Sequence, residues 1–153
     1  ELNADAGDLF AVDLSQNPPK RTTLLATPAD EGDPIPSPDG KWLAYTTNSS
    51  GSYEVRVILL ADPANSIQIT MRGGIPIRWS NDSSKLYYRD GDVISVLNVG
   101  SDGPRLESRN PVFQLPKDTM RSLVVFPDGE KAILIRGGLM YSDLIVIQGF
   151  LGG

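Results

Sequence analysis

The sequence has 153 residues, 40% hydrophobic and 22% charged, with 15 Gly and 12 Pro, the length and composition of one globular domain. Acidic residues outnumber basic ones by 19 to 14, for a net charge of -5, and no basic run exists to track phosphates, so nucleic acid is not expected as a partner. With neither His nor Cys, a Ser-His-Asp triad, a Cys-His pair, a His-ligated metal and a disulfide framework are excluded, while carboxylate chemistry stays open.

In chain order, residues 8–14 and 21–25 read as two strands. Ser37-Pro38-Asp39-Gly40 then reverses the chain. Proline pre-sets φ for the first central turn position, Asp bonds its own downstream backbone, and Gly accepts a positive φ where the next strand, Trp42-Leu43-Ala44-Tyr45, begins. Residues 52–57 alternate polar and apolar, placing Tyr53, Val55 and Val57 on one face of a half-buried strand. Residues 61–65 are expected to turn the chain into a strand over 66–70.

Residues 75–79 lead into a second copy of the turn, Ser80-Asn81-Asp82-Ser83. Here Ser83 replaces glycine; a non-Gly residue in the left-handed region costs about 1 kcal/mol, so this turn is expected to be weaker or of another type. Trp79 is expected to pack between neighbouring sheets. Strands over 85–89 and 93–99, joined tightly through Asp90-Gly91-Asp92, must be antiparallel neighbours. A third copy, Phe126-Pro127-Asp128-Gly129, precedes strands over 132–136 and 140–147, separated at Gly137-Gly138. No window carries a capped helical period.

The three copies begin at Ser37, Ser80 and Phe126, 43 and 46 residues apart. A period in the forties is one four-stranded blade of a β-propeller. The expected fold is therefore all-β, with antiparallel four-stranded blades. Residues 1–30 would end a preceding blade, 31–72 and 73–116 would be blades, and 117–153 a last blade lacking its fourth strand. That amounts to about three and a half blades, against ~4 to 8 in a closed ring. The expectation is either the C-terminal part of a larger propeller or strands supplied by a partner, including a second copy that pairs open blade edges.

The Ser-Pro-Asp-Gly turn followed by Lys41 and an apolar strand resembles the TolB-like, WD-repeat-like propellers of bacteria. Residues 74–92, with Arg78-Trp79 ahead of the turn and Leu86-Tyr87-Tyr88 after it, are similar to the closing blades of propellers attached to bacterial serine/threonine kinases and related sensors. So are Val112-Phe113, the third turn and Ile145-Val146-Ile147. Asn81, Ser83, Phe126 and Pro36 depart from that pattern. The resemblance implies a non-catalytic recognition module, periplasmic or otherwise extracytoplasmic, with protein or peptide partners and no cofactor.

Ser37, Pro38, Asp39, Gly40, Ser80, Asp82, Pro127, Asp128 and Gly129 are assigned to turn structure, because positions that recur in every blade carry architecture. Trp42, Tyr45, Trp79, Tyr87 and Tyr88 are candidates for a binding surface or for packing between blades; Trp42 and Trp79 are assigned first to packing, while Tyr87 and Tyr88, on opposite strand faces, offer one aromatic for a binding surface. A glycosidase would need two carboxylates ~5 to 9 Å apart, from Asp30, Glu31, Asp33 or Asp118; the simpler expectation is a solvated acidic loop. Asn3, Asp5 and Asp8, or Asp90 and Asp92, are loosely spaced for calcium but lack the closing bidentate Glu, so turn chemistry is preferred and no metal is assigned. Asn48-Ser49-Ser50 and Asn81-Asp82-Ser83 match the glycosylation acceptor pattern. Gly73-Gly74 and Gly137-Gly138 make no nucleotide loop. No run approaches the ~20 apolar residues of a membrane span and no leader pattern opens the chain, so membrane insertion is not expected. The alternative from another class is the accessory, substrate-filtering propeller of a prolyl-oligopeptidase-type peptidase.

Overall fold

The computed structural model describes residues 6–71, 73–115, 120–126, 131–137 and 142–148. Within them the chain is β throughout apart from one 3-10 turn, Leu106–Ser108. β1 (Leu9–Asp13) and β2 (Lys20–Leu25) pair antiparallel. β3 (Glu31–Pro36), β4 (Trp42–Thr47), β5 (Glu54–Leu59) and β6 (Asp62–Gln68) form a four-stranded antiparallel sheet in chain order. β7 (Ile75–Trp79), β8 (Lys85–Asp90) and β9 (Val93–Gly100) repeat that meander, and the free edge of β9 is shared by β10 (Gly103–Pro104) and β11 (Asn110–Gln114). β12 (Met120–Val125), β13 (Lys131–Gly137) and β14 (Ser142–Gln148) make a further antiparallel sheet. The short connections within each sheet follow from the turn residues between short β-rich runs, which favour neighbouring antiparallel strands.

Period-two alternation sends successive side chains of β4 to opposite faces. Trp42 and Ala44, with Val55, Val57 and Ile69, pack against Trp79, Leu86, Tyr88, Leu97 and Val99 of the next sheet. Leu43, Tyr45 and Ile58 pack the other way, against Leu9 and the partly buried Leu24 and Leu25 of the preceding sheet. The β3–β6 sheet is thus covered on both faces by its chain neighbours, which distinguishes radial blades from a sandwich with one shared interior. Each fully buried Val or Leu in these layers contributes roughly 1.5–3 kcal/mol. First strands converge, β3 against β7 and β7 against β12, which marks the side of the propeller axis. As expected, Trp79 sits between sheets, and its indole Nε1 donates to the Ile35 carbonyl at 2.9 Å.

Three local expectations are corrected. β5 is not half-buried: Val55 and Val57 are enclosed on one face, and on the other Ile58 and the carboxylate of Glu54 are enclosed as well, because a second sheet lies there. Tyr53 precedes the strand and is exposed. The reversal after β5 falls at Leu60 and Ala61, with Leu59 opposite Asp62, and residues 63–65 form an irregularity within β6 rather than the turn itself. At Ser83, φ is +61°, close to the +70° of Gly40, so the second turn has the conformation of the first.

Candidate functional site

The two central sheets have chemically different ends. At one end lie the repeated turns. Ser37 Oγ donates to Asp39 Oδ1 at 2.6 Å and accepts from the Trp42 N–H at 2.9 Å; Ser80 Oγ does the same with Asp82 at 2.6 Å and Lys85 at 2.9 Å. The backbone N–H of Gly40 and of Ser83 each reaches back to the serine carbonyl at 2.9 Å. These bonds favour the charged form of each aspartate. The Ser80 hydroxyl and then the Ser84 N–H and hydroxyl hold Asp82 at about 2, and the Ser37 hydroxyl and the Lys41 N–H lower Asp39 in the same manner. Ser83 Oγ accepts from the Asp39 N–H at 3.0 Å, so the residue that replaces glycine ties one turn to the other. Of the third turn, Phe126 donates its N–H to the Lys131 carbonyl at 2.8 Å, while Pro127, Asp128 and Gly129 lie outside the described residues.

From the opposite end, at Glu31, Thr47 and Asn48, a cavity of about 690 Å³ runs along the β3–β6 sheet, beside Leu25 and the β2–β3 connection, to Pro63 and Ala64. Its floor is polar, with Glu31, Tyr45, Thr47, Arg56 and Ser66, and its walls include Pro28, Ala29, Pro63 and Ala64. Glu31 is only 5% exposed. Thr27 Oγ1 donates to Glu31 Oε1, and Oε2 has no hydrogen-bond partner. Leaving a buried acceptor unsatisfied costs about 1–3 kcal/mol, more for a charged group. Arg56 is held in place by two bonds. Its Nη1 pairs with Oε1 of the fully buried Glu54 at 2.7 Å and its Nε donates to Ser66 Oγ at 2.9 Å. Glu54 Oε2 is satisfied by Ser50 Oγ and Gln68 Nε2, both at 2.7 Å. Burial pushes the Tyr45 phenol up, against the opposing pull of a hydrogen bond with Ser66 and the Arg56 charge.

Asn48, which lines the cavity, is hydrogen-bonded to Asp30, and Asp30 leads to an exposed tyrosine. Tyr53, 49% exposed, donates its hydroxyl to Asp30 Oδ2, whose other oxygen accepts from the Gly7 N–H at 2.7 Å. Together these bonds lower Asp30 and raise Tyr53. The Asp30 N–H donates to Asn48 Oδ1 at 2.9 Å, so the β2–β3 and β4–β5 loops are bound together. A Cβ on Gly7 would meet the Glu31 carbonyl at 2.7 Å, so a side chain there would force the loops apart.

The charged residues of this end do not recur. Tyr45 and Tyr88 are equivalent, each eight residues after the serine of its turn. Opposite Tyr45 stands Arg56, but opposite Tyr88 stands Ser95; opposite Thr47 stands Glu54, but opposite Asp90 stands Val93. Glu31 precedes Gly32, which pairs with Thr46, and the corresponding residue before Ile75 is Gly74.

Other residues singled out from the sequence fall as follows. Tyr87 and Tyr88 point to opposite faces, each 2% exposed, and are enclosed rather than displayed. Trp42 is buried in the layer between the two central sheets. Glu31 is not part of a solvated loop. Asp33, at φ +48°, accepts from Thr46 Oγ1 at 3.1 Å. Asp92 faces Arg89 at 3.7 Å beside the Gly91 turn, and Asp8 lies apart from that pair, lining a second cavity. Asp118, Asn3 and Asp5 lie outside the described residues. Among the described residues no group of three or more acidic side chains is placed to hold a metal ion, and no helix is long and apolar enough to cross a membrane. Sequence reasoning missed the Glu54–Arg56 pair altogether; its one signal was a Glu-x-Arg on a strand.

No protein-family model and no curated protein matches the sequence. Solved structures do match in fold. The β-propeller domain of Cps50 (Swd1) from Myceliophteria thermophila superposes with a TM-score of 0.67 at 14% identity, over 95% of this chain and 51% of that one. TolB from Acinetobacter baumannii gives 0.63 at 18% identity, over 97% and 40%. A chain of a nidogen/laminin complex gives 0.63 at 16%, over 94% and 55%. Enzymes share the fold too, among them an oligogalacturonate lyase and prolyl endopeptidases. The likeness establishes a β-propeller fold, and this chain spans about half or less of the TolB and Cps50 chains it matches.

Proposed function

We propose that this chain is a non-catalytic propeller module that recognises a protein or peptide at the end of the sheets carrying Glu31, Tyr53 and Arg56, as the extracytoplasmic sensor or scaffold part of a larger bacterial protein. The observation that carries the reading is the polar cavity and, tied to its lining through Asp30 and Asn48, an exposed, clamped tyrosine, built from residues that the next blade lacks. Blade architecture does not demand them. Loops tied to each other and to rigid sheets present such a surface with little ordering entropy to lose on binding, and a tyrosine held at one end is a suitable anchor. Recurrence of the fold in a nidogen/laminin complex supports a protein partner, and the TolB likeness supports an envelope location.

A displayed library of random peptides selected against the chain tests the reading. Enriched peptides whose affinity falls about tenfold or more on Tyr53→Ala are expected, in line with a hot-spot side chain. A chain that selects no peptide, or that turns over peptide or oligosaccharide substrates in a manner abolished by one carboxylate substitution, would contradict it. The likeness to prolyl endopeptidases, at 22% identity over 95% of this chain, favours a second reading as a substrate-filtering propeller beside a separate hydrolase. Peptide capture without turnover is common to both; a Gly-x-Ser-x-Gly elbow elsewhere in the full gene product distinguishes the second.

A further inference from the structure

We infer that the Glu31 cavity is a subsite for a basic side chain of the partner peptide, an ammonium or guanidinium group that pairs with the Glu31 carboxylate; this rests on the peptide-recognition reading above. The charge balance of the cavity points to a cation. Of its lining residues only Glu31 and Arg56 carry a formal charge, and Arg56 is already paired with Glu54 at 2.7 Å. Glu31 is left as the uncompensated charge, with Oε2 accepting nothing. A buried carboxylate oxygen calls for a donor, and a cationic group of a ligand in the cavity would supply one. The terminal torsion of a glutamate is soft, so the carboxylate can turn to present either oxygen to the cavity while Thr27 keeps the other.

The remaining walls fit the same guest. Pro28, Ala29, Pro63 and Ala64 offer apolar surface for a methylene stem, and Tyr45 adds a hydroxyl to the lining. At about 690 Å³ the cavity lies in the range of small-ligand sites and has room for main chain flanking the side chain. An anion is disfavoured because Arg56 spends both its Nη1 and Nε within the protein.

The test uses NMR titration of the full chain with Nα-acetyl-lysine methylamide and with its uncharged isostere, Nα-acetyl-norleucine methylamide. The lysine probe is expected to bind about tenfold or more tightly than the norleucine probe, with shifts at Thr27, Glu31 and Tyr45, and Glu31→Gln is expected to remove that preference. The wild-type comparison needs no variant, so the proposal is exposed even if Glu31→Gln does not fold. Equal affinity for the two probes, no binding of the lysine probe, or a preference that survives Glu31→Gln would overturn it. Library peptides that require Tyr53 yet carry no basic residue would overturn the subsite alone and leave peptide recognition standing. A lysine preference without any selected peptide would do the reverse.

Discussion

At one end of the two central sheets, Ser37 and Ser80 make the same pair of hydrogen bonds to within the same distances, whereas at the other end Glu31, Glu54 and Arg56 give way to Gly74, Val93 and Ser95 in the next blade. Repetition at the turn end serves the requirement that every blade reverse its first two strands in the same manner. The cavity end departs from that repetition and carries a buried acceptor without a partner, a local cost that the fold does not require. Structure is carried where blades agree, and recognition where they differ.

Several substitutions would break or sharpen that contrast. Trp79→Ala should have the largest effect on stability, about 3–5 kcal/mol in urea unfolding, because it empties the layer shared by both central sheets and strands the Ile35 carbonyl. A loss below about 1 kcal/mol would show that the sheets do not depend on one another. Arg56→Met should cost on the order of 3 kcal/mol, since it leaves Glu54 fully buried without its countercharge. Removing both charges, as Glu54→Gln with Arg56→Met, should recover much of that loss; if the double variant is no better than the single, the pair is not what Glu54 depends on.

Acid should separate the two ends further. Asp82 titrates at about 2 in the fold against an ordinary 3.8, so its contribution is complete above the ordinary value and is lost as pH falls through that window. The stability difference between wild type and Asp82→Asn, read from thermal midpoints, is therefore expected to be present at neutral pH and to disappear by about pH 2. An unchanged difference at both extremes would contradict the hydrogen-bonded turn. The smallest effect is expected at Ser83. Ser83→Ala should lose about 1 kcal/mol with the bond to Asp39, whereas Ser83→Gly should be near neutral because relief of the positive φ offsets that loss.

The strands and turns were legible in the sequence because both signals are local: period-two alternation within a run, and Ser, Pro, Asp and Gly between runs. So was the packing of Trp79. What the sequence did not disclose depends on residues far apart in the chain. Ser83 was expected to weaken its turn, yet it keeps the glycine conformation because its hydroxyl serves Asp39, 44 residues away. Glu54 and Arg56 occupy the polar positions of an alternating strand, which a one-sided sheet would solvate; here Glu54 is fully buried and Arg56 partly so, and their partners Ser66 and Gln68 arrive through the register of β6. Glu31 read as one acid of a polar loop, whereas the fold leaves it 5% exposed, with Thr27 on its carboxylate and the Gly7 carbonyl on its N–H. Tyr87 and Tyr88 looked available for binding, yet the fold leaves each of them 2% exposed.

The division between a structural and a recognising end is tested most directly by mapping amide shift changes across the chain when a library-selected peptide is added. The changes are predicted to cluster at residues 27–31, 45–56 and 63–66. Clustering instead at residues 37–41 and 80–84 would place recognition on the repeated turns and contradict the account.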